Sequence, residues 1–530
     1  MNIALTFSGG GYRAAAFHLG TLSMLHHVKT ETGTLLEHVE VLSTVSGGTL
    51  TGLRYMQALT KGEDIDEMTR SIYKFFFDVD MMTMALQQLD DKNPQEGASA
   101  IRTMVDIYDE KLFGHATFAD FIDKMGDLPV KHYSANATDF ESGIPFRFQA
   151  SEKIGNYQGF FGNVDHRLSL ATASKVTLGE AMACSSCFPG GFEPLAFPDD
   201  FALANTEDGK KMKEKYGSFG IMDGGCVDNQ GIEAILLVEE RMRKKEKARK
   251  DKAIDLVLIS DVTSPYMKGY KPFTGSLPRF IRKLTLKRIG NWLWLFSGLF
   301  AVALTVALFY HLFLPSVISG VLFAVVGTLT VLFHWGKKEL AKVLNGTFVK
   351  HAVPDLMNLS LGNIATMVAN RATSLVILIT SVFMKHIRRK EYASIYVDPG
   401  WANRSITNAI YELRPDELWE SRLKNKSLPD FLKPSAQMQQ VSAKATGMAL
   451  SLWFTEKDKA DNMPKAIIAT GQFTTCFNLL DYLDKLKASS WNVSERIEEL
   501  KACETQLREM WEKFRENPYW LVDSVIDGLP

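Results

Sequence analysis

Three short stretches bring reactive or polarising groups to the ends of apolar runs. The first is Val39 to Gly52, V-E-V-L-S-T-V-S-G-G-T-L-T-G. Val39, Val41, Leu42 and Val45 suit a short buried strand, which stops at Ser46-Gly47-Gly48 before a helix-compatible stretch. A serine at such a turn has its hydroxyl pushed out of the backbone path, and the new helix aims its free N–H groups at it. That is the pattern of a nucleophile elbow, with Thr44 standing where G-x-S-x-G has its first glycine. The second stretch, residues 3–16, reads I-A-L-T-F-S-G-G-G-Y-R-A-A-A. A short strand ends at Gly9, Gly10 and Gly11, followed by Arg13 and a helix to about Val28. Consecutive glycines expose backbone N–H groups that can converge on a developing oxyanion, a large electrostatic contribution in acyl transfer. The third, Gly220 to Asn229, reads G-I-M-D-G-G-C-V-D-N, with Asp223 closing a strand. An oxyanion loop, a serine elbow and a carboxylate at strand ends are the parts of a serine hydrolase.

The order G-G-G-x-R, x-x-S-G-G, D-G-G resembles the patatin-like phospholipase family. Leu178 to Leu195, L-G-E-A-M-A-C-S-S-C-F-P-G-G-F-E-P-L, is similar to that family's segment before the D-G-G strand. The similarity covers most of residues 1–262. Two positions depart from the pattern: Thr44, and Ala14 where many relatives have a glycine after the arginine. Neither removes a reacting atom. The resemblance implies Ser46 as nucleophile, Asp223 as its partner, Gly9, Gly10 and Gly11 as the oxyanion loop, and Arg13 as its support. It also implies phospholipid or a related acyl lipid as substrate.

The elements that must position these groups follow from the rest of the chain. At 530 residues more than one domain is expected. The net charge of −1 gives no argument for nucleic acid, and none is expected as a partner. The five cysteines, Cys184, Cys187, Cys226, Cys476 and Cys503, are odd in number and scattered, so structural thiols in a reducing compartment are expected. Cys184-x-x-Cys187 has no second pair to make a metal site. Residues 1–8 run straight into a strand, and no cleavable leader is expected. Residues 60–113 look helical. Phe75 to Leu86 is rich in Phe and Met, open to reading as a lid over an acyl pocket or as a packed helix. Lys131 to Phe148 suits strand, turn and strand, with Asp139 a turn carboxylate. Gly231 to Arg243 suits a helix continued by a charge run to Lys252, and Asp255 to Asp261 a buried strand. Strands alternating with helices argue for a mainly parallel sheet covered on both faces.

From Asn291 to Trp335 there is no Asp, Glu, Lys or Arg. Pro315 divides this run into two stretches of about 20 residues, each reaching ~30 Å at ~1.5 Å per residue. Trp292, Trp294 and Trp335 sit at the outer ends. Arg279, Arg282, Lys283, Lys287 and Arg288 precede the run, and Lys337, Lys338 and Lys342 follow it. Positive flanks on both sides predict a transmembrane hairpin with both ends cytoplasmic. Ser374 to Met384 is expected as a core helix leading to a basic patch, Lys385 to Lys390, and Ser394 to Val397 as a last strand. Residues 431–530 look helical, with a charged amphipathic helix from Ser494 to Glu516.

A Ser-His-Asp triad in hydrolase order needs a histidine after Asp223. His311 and His334 lie in the apolar run, and His351 and His386 lie on expected helices, which favours a Ser–Asp dyad, as the resemblance implies. Gly9-x-Gly11-x-x-Ala14 also fits a dinucleotide fingerprint, but the acid at the end of the next strand is missing. The expectation is therefore an α/β fold, a patatin-like three-layer arrangement with a transmembrane hairpin and a helical C-terminal region. The expected divisions are a catalytic domain over 1–275, a hairpin over 276–350, the rest of the catalytic domain over 351–430 and a helical region over 431–530. The expected activity is a membrane-anchored serine acyl hydrolase needing no metal or organic cofactor. A conditionally activated effector, or a non-catalytic scaffold keeping the fold, is the alternative. The expected partners are membrane phospholipid and the bilayer; oligomeric state and any activating partner stay open.

Overall fold

The computed structural model describes residues 1–91, 99–153, 158–189, 191–245, 254–264, 270–272, 278–344, 357–415, 428–489, 491 and 493–529. It divides into two units, Met1–Tyr266 with Met384–Pro530, and Met267–Phe383. Residues 357–383, expected with the catalytic domain, thus cluster in the second unit.

The first unit is built on one mixed, mostly parallel sheet. In chain order the strands are β1 (Ile3–Phe7), β2 (Lys29–Thr30), β3 (Gly33–Thr34), β4 (Val39–Val45), β5 (His132–Asp139), β6 (Pro145–Ser151), β7 (Phe161–Gly162), β8 (Arg167–Leu168), β9 (Leu195–Phe197), β10 (Phe219–Asp223), β11 (Leu256–Asp261) and β12 (Ser405–Ala409). β2 and β3 form a separate small ribbon. In the main sheet β12, β11, β1, β4 and β5 lie side by side and parallel; β6, β7 and β8 continue it antiparallel. Alternate residues of the central strands feed different cores, as a period of two requires. Ile3, Leu5 and Phe7 pack into the larger core, whereas Ala4 packs into a smaller one with Val257 and Ile259. The sheet therefore has helices on both faces, the three-layer solution for strands buried on both sides.

Two helices on the larger face matter for the site, α1 (Gly11–His27) and α2 (Gly47–Lys61). α1 is buried along most of its length, because the helix Met463–Ala488 covers it from the far side. The two approach at Gly20 and Gly471: a Cβ on either would lie 2.1 Å from a carbonyl oxygen of the other helix. The helical C-terminal region thus shares the core of the sheet unit.

Several expected elements shift. Ser394–Val397, expected as the last strand, ends the helix Met384–Tyr396; the last strand is β12. Arg388 and Tyr392, one turn apart, both hydrogen-bond the buried carboxylate of Asp261, and Ile395 continues that inner face. This tertiary tie decides a four-residue apolar run that pattern alone leaves ambiguous. Phe75 and Phe76 belong to a packed helix, Ile65–Asp78; both rings lie tilted against Tyr12, and Phe76 meets Phe454 edge-on. The charge run after Arg243 lies outside the described residues from 246 to 252, as does His351.

The second unit contains two antiparallel apolar helices, Leu286–Phe309 and Phe313–Leu344. Gly290 accommodates Phe333, and Trp294 Nε1 donates to His334 Nε2 at 3.2 Å. The chain reverses at Tyr310–Leu312, where His311 takes φ 54°, and not at Pro315. Pro315 lies in the first turn of the second helix, where a missing N–H costs no intrahelical bond. Ser374 to Phe383, expected to be core, continues the helix Leu361–Ile377 into a π turn and exposes Leu375, Val376 and Phe383. Leu286–Phe309, Phe313–Gly336 and Leu361–Tyr396 are long and apolar enough to cross a membrane.

Candidate active site

Strand order explains how Ser46 meets Asp223. β6 pairs along one edge of β5 from His132 to Thr138. The other edge is shared: β4 pairs there as far as Val45 with Asn136, and β10 pairs antiparallel from Asp223 with Ala137. β10 therefore takes over the edge at the residue where β4 leaves it. Ser46 and Asp223 meet at that junction, with the Ser46 side chain near enough to the Asp223 carboxylate to favour its ionised form.

Ser46 has φ 51° and ψ −125° and caps α2 without a side-chain bond to it. A non-glycine residue in this region stores strain that its neighbours must hold. The Ser46 N–H donates to Ser185 Oγ at 2.8 Å, and Ser185 Oγ donates to the Asn136 carbonyl at 2.7 Å. Asn136 Nδ2 in turn holds the Thr44 carbonyl at 2.9 Å. A Cβ on Gly47 would lie 1.9 Å from the Gly11 carbonyl oxygen, so the elbow and the glycine loop are in backbone contact.

Asp223 is buried, and burial pushes its carboxyl from 3.8 up to about 6. The hydrogen bond from the Gly225 N–H, at 2.7 Å, and the neighbouring Ser46 side chain favour the ionised form and limit the rise. The result is a carboxylate that is ionised at neutral pH yet basic enough to accept a proton.

The glycine loop sits beside Ser46, but its donors are not equivalent. Gly9 N–H is spent on the Asn229 carbonyl at 3.0 Å. Gly10 and Gly11 N–H make no backbone bond among the described residues. Tyr12 N–H donates to the Ser451 carbonyl at 2.7 Å. Arg13 supports the loop from behind: its guanidinium donates to the Met448 carbonyl at 2.6 Å and to the Val262 carbonyl at 3.0 Å. The C-terminal segment Met448–Phe454 thus lies across the loop, with Leu450 against Gly10 and Ser451 against Gly11. Ser46 is 5% exposed.

Pattern alone did not reveal Ser185, Asn229, Gly47 or the Leu450–Ser451 crossing as parts of this site. Gly47 had a usable signal, since the residue after an elbow nucleophile offers its own N–H. Asn229 follows the D-G-G turn closely, but nothing local says that its carbonyl meets Gly9. His18, the histidine closest to this loop in sequence, is no base: burial pushes it down to about 3, with its ring nitrogens on Ser260 Oγ and the Ser8 carbonyl. Asp139 accepts Glu141 and Ser142 N–H groups and binds Asn163 and His166, the role of a turn carboxylate. Cys184 and Cys187 are free, buried thiols, and no metal-binding cluster occurs among the described residues.

Residues 5–236 match the family model of patatin-like phospholipases. No curated protein matches the sequence. The match contains both strand-end loops, the elbow and Asp223, and ends before β11. Its fold is a mixed sheet between helical layers, with the strand-to-helix serine turn at the C-terminal end of a parallel strand. Over residues 5–236 the chain is thus similar to the patatin-like phospholipases, a family whose members are generally lipid acyl hydrolases.

Proposed function

We propose that the protein hydrolyses acyl esters of phospholipids or related lipids through Ser46 and Asp223, working at the membrane that anchors it. The observation that carries this reading is that one sheet junction brings together Ser46, strained at its strand-to-helix turn, and the buried carboxylate of Asp223, which burial raises to about 6. Asp223 takes the hydroxyl proton as Ser46 Oγ attacks the ester carbonyl carbon. The oxyanion forms beside the N–H groups of Gly10, Gly11 and Gly47. Collapse breaks the ester bond, and the proton held by Asp223 passes to the leaving alkoxide. Water then adds to the acyl-enzyme with Asp223 again as base, releasing fatty acid and restoring Ser46. The two helices Leu286–Phe309 and Phe313–Gly336 form the membrane hairpin, with basic flanks favouring a cytoplasmic catalytic unit.

The covered site favours a conditionally active enzyme over a bare scaffold. A scaffold has no use for a strained serine beside a basic carboxylate, and Ser46 is only 5% exposed, so a lipid needs local movement to reach it. Lipid mass spectrometry tests the chemistry. Membranes incubated with purified wild-type protein should accumulate free fatty acid and the matching deacylated lipid. Ser46→Ala and Asp223→Asn should each reduce this by at least about 10³-fold, with non-additive effects because the pair acts as one unit. Fatty acid release by folded Ser46→Ala at the wild-type rate excludes the mechanism.

A further inference from the structure

Behind the glycine loop the cations outnumber the carboxylate that could pair with them. Asp261 ends β11 and is buried. Its Oδ1 accepts the Thr263 N–H at 2.7 Å, and its Oδ2 accepts Arg388 Nε at 2.9 Å and the Tyr392 hydroxyl at 3.0 Å. Three acceptor positions of that carboxylate are thus taken. Arg13 spends its guanidinium on backbone carbonyls. Lys385, one turn before Arg388, is 9% exposed and has neither an ion pair nor a hydrogen bond among the described residues. The charges acting on it are Arg388, Asp261, Arg13 and Arg389, three of them positive.

The position of Lys385 is informative. The preceding residue, Met384, places Cε 3.1 Å from where a Gly225 Cβ would lie, against the turn that holds Asp223. On the other side, Val262, next to Asp261, packs on Gly10. Lys385 therefore follows the residue packed on the D-G-G turn, and it neighbours Asp261, which ends β11, and Arg13, which braces the glycine loop. A mostly buried lysine among cations, with no counter-ion of its own among the described residues, is costly, and an anion supplying oxygen acceptors relieves that cost. In a glycerophospholipid only the glycerol backbone separates an ester carbonyl from the phosphate. A carbonyl placed at Ser46 leaves the phosphate beside the D-G-G turn and the glycine loop.

We propose that Lys385 binds the phosphodiester of the lipid whose acyl ester lies at Ser46, and so selects phospholipids over neutral acyl lipids. The proposal rests on the hydrolase reading and deepens it. It assigns a specificity residue to the helix Met384–Tyr396, outside the matched residues 5–236. A charge-assisted ammonium–phosphate contact is worth about 10- to 100-fold in affinity.

The test uses full-length protein in mixed micelles with a short-chain phosphatidylcholine and the diacylglycerol carrying the same acyl chains. Lys385→Met should lower kcat/KM on the phospholipid by about 10- to 100-fold, chiefly through KM, and leave the diacylglycerol rate unchanged. Lys385→Arg should restore most of the phospholipid rate. The diacylglycerol rate also reports folding of the variant. Equal loss on both substrates, or loss on neither, overturns the proposal while leaving Ser46 chemistry intact. Competition by inorganic phosphate that disappears in Lys385→Met, with the substrate ratio unchanged, identifies a free-phosphate site and also overturns it. A binding arm stands apart from turnover: Ser46→Ala protein should bind the same phosphatidylcholine about 10-fold more tightly than Ser46→Ala/Lys385→Met. That arm decides the proposal even if the wild-type protein hydrolyses neither lipid, which would sink the hydrolase reading alone.

Discussion

At the scale of single residues, Asp223 couples activity and stability to pH with opposite signs. Its carboxyl is raised from 3.8 to about 6 by burial, so it is protonated below about pH 6 and cannot take the Ser46 proton. Hydrolysis should therefore fall as pH drops through about 6, with a slope of one proton. A rate that stays flat from pH 7 to 5 removes Asp223 as the base. The stability sign follows from linkage. A folded pKa above the unfolded one means that the folded state binds the proton more tightly. Stability from this group is full below about 4 and is lost as pH rises through about 6. Asp223→Asn keeps an oxygen to accept from Gly225 but never ionises. It should be inactive yet more stable than wild type above pH 6, by ~3 kcal/mol as an order of magnitude for a shift of this size. Melting curves of both proteins at pH 4.5 and pH 7.5 check this: the gap should open only at the higher pH.

At the scale of elements, the strands and turns that carry chemistry were legible because each is local. Ile3–Phe7 before three glycines, and Val39–Val45 before Ser46, announce themselves within a dozen residues. The partners that arrive from far away were not legible. Ser185, Asn229 and Ser451 reach the site through pairings such as β10 on β5 and the covering of α1 by Met463–Ala488. Thr44 illustrates the difference. Its departure from the elbow glycine reads as a defect in the motif, yet Gly52, one helical turn further on, gives it room. A Cβ at Gly52 would lie 2.4 Å from the Thr44 methyl. Thr44 Oγ1 also meets the Tyr133 hydroxyl at 3.1 Å and receives Thr49 Oγ1 at 3.1 Å. Close strand–helix packing at Thr44 is thus allowed by the missing side chain of Gly52 on α2. Gly52→Ala should then cost about 1–3 kcal/mol by overpacking. Adding Thr44→Gly should recover part of that loss, with a coupling of at least ~1 kcal/mol in a double-mutant cycle. Additive melting changes would show that the two positions do not share the space.

At the scale of the molecule, one strand pairing limits how often the chain can cross a bilayer. β11 ends at Asp261, and β12 lies beside it in parallel, Val257 opposite Ser405. All three apolar helices fall between these neighbours in the chain. A chain that leaves one sheet and returns to it crosses an even number of times, so two crossings rather than three are expected of these helices. The two helices without an internal charge from Asn291 to Trp335 are the pair expected to cross. The third carries Arg371 and the basic run Lys385 to Lys390, and Arg388 is tied to Asp261 in the sheet unit. It is expected to lie along the interface with its apolar residues in the headgroup boundary. Cysteine labelling with a membrane-impermeant reagent separates the arrangements, in a protein lacking its five native cysteines. A cysteine at Leu312, in the reversal between the two helices, should label from the far side of the membrane. Cysteines at Ser360 and Arg389, before and after the bulk of the third apolar stretch, should both be protected and should both label after permeabilisation. Labelling of Ser360 alone from the far side would mean that the third helix crosses and one of the first two does not, and the basic flank at Lys337 and Lys338 would then lie on the wrong side for the hairpin.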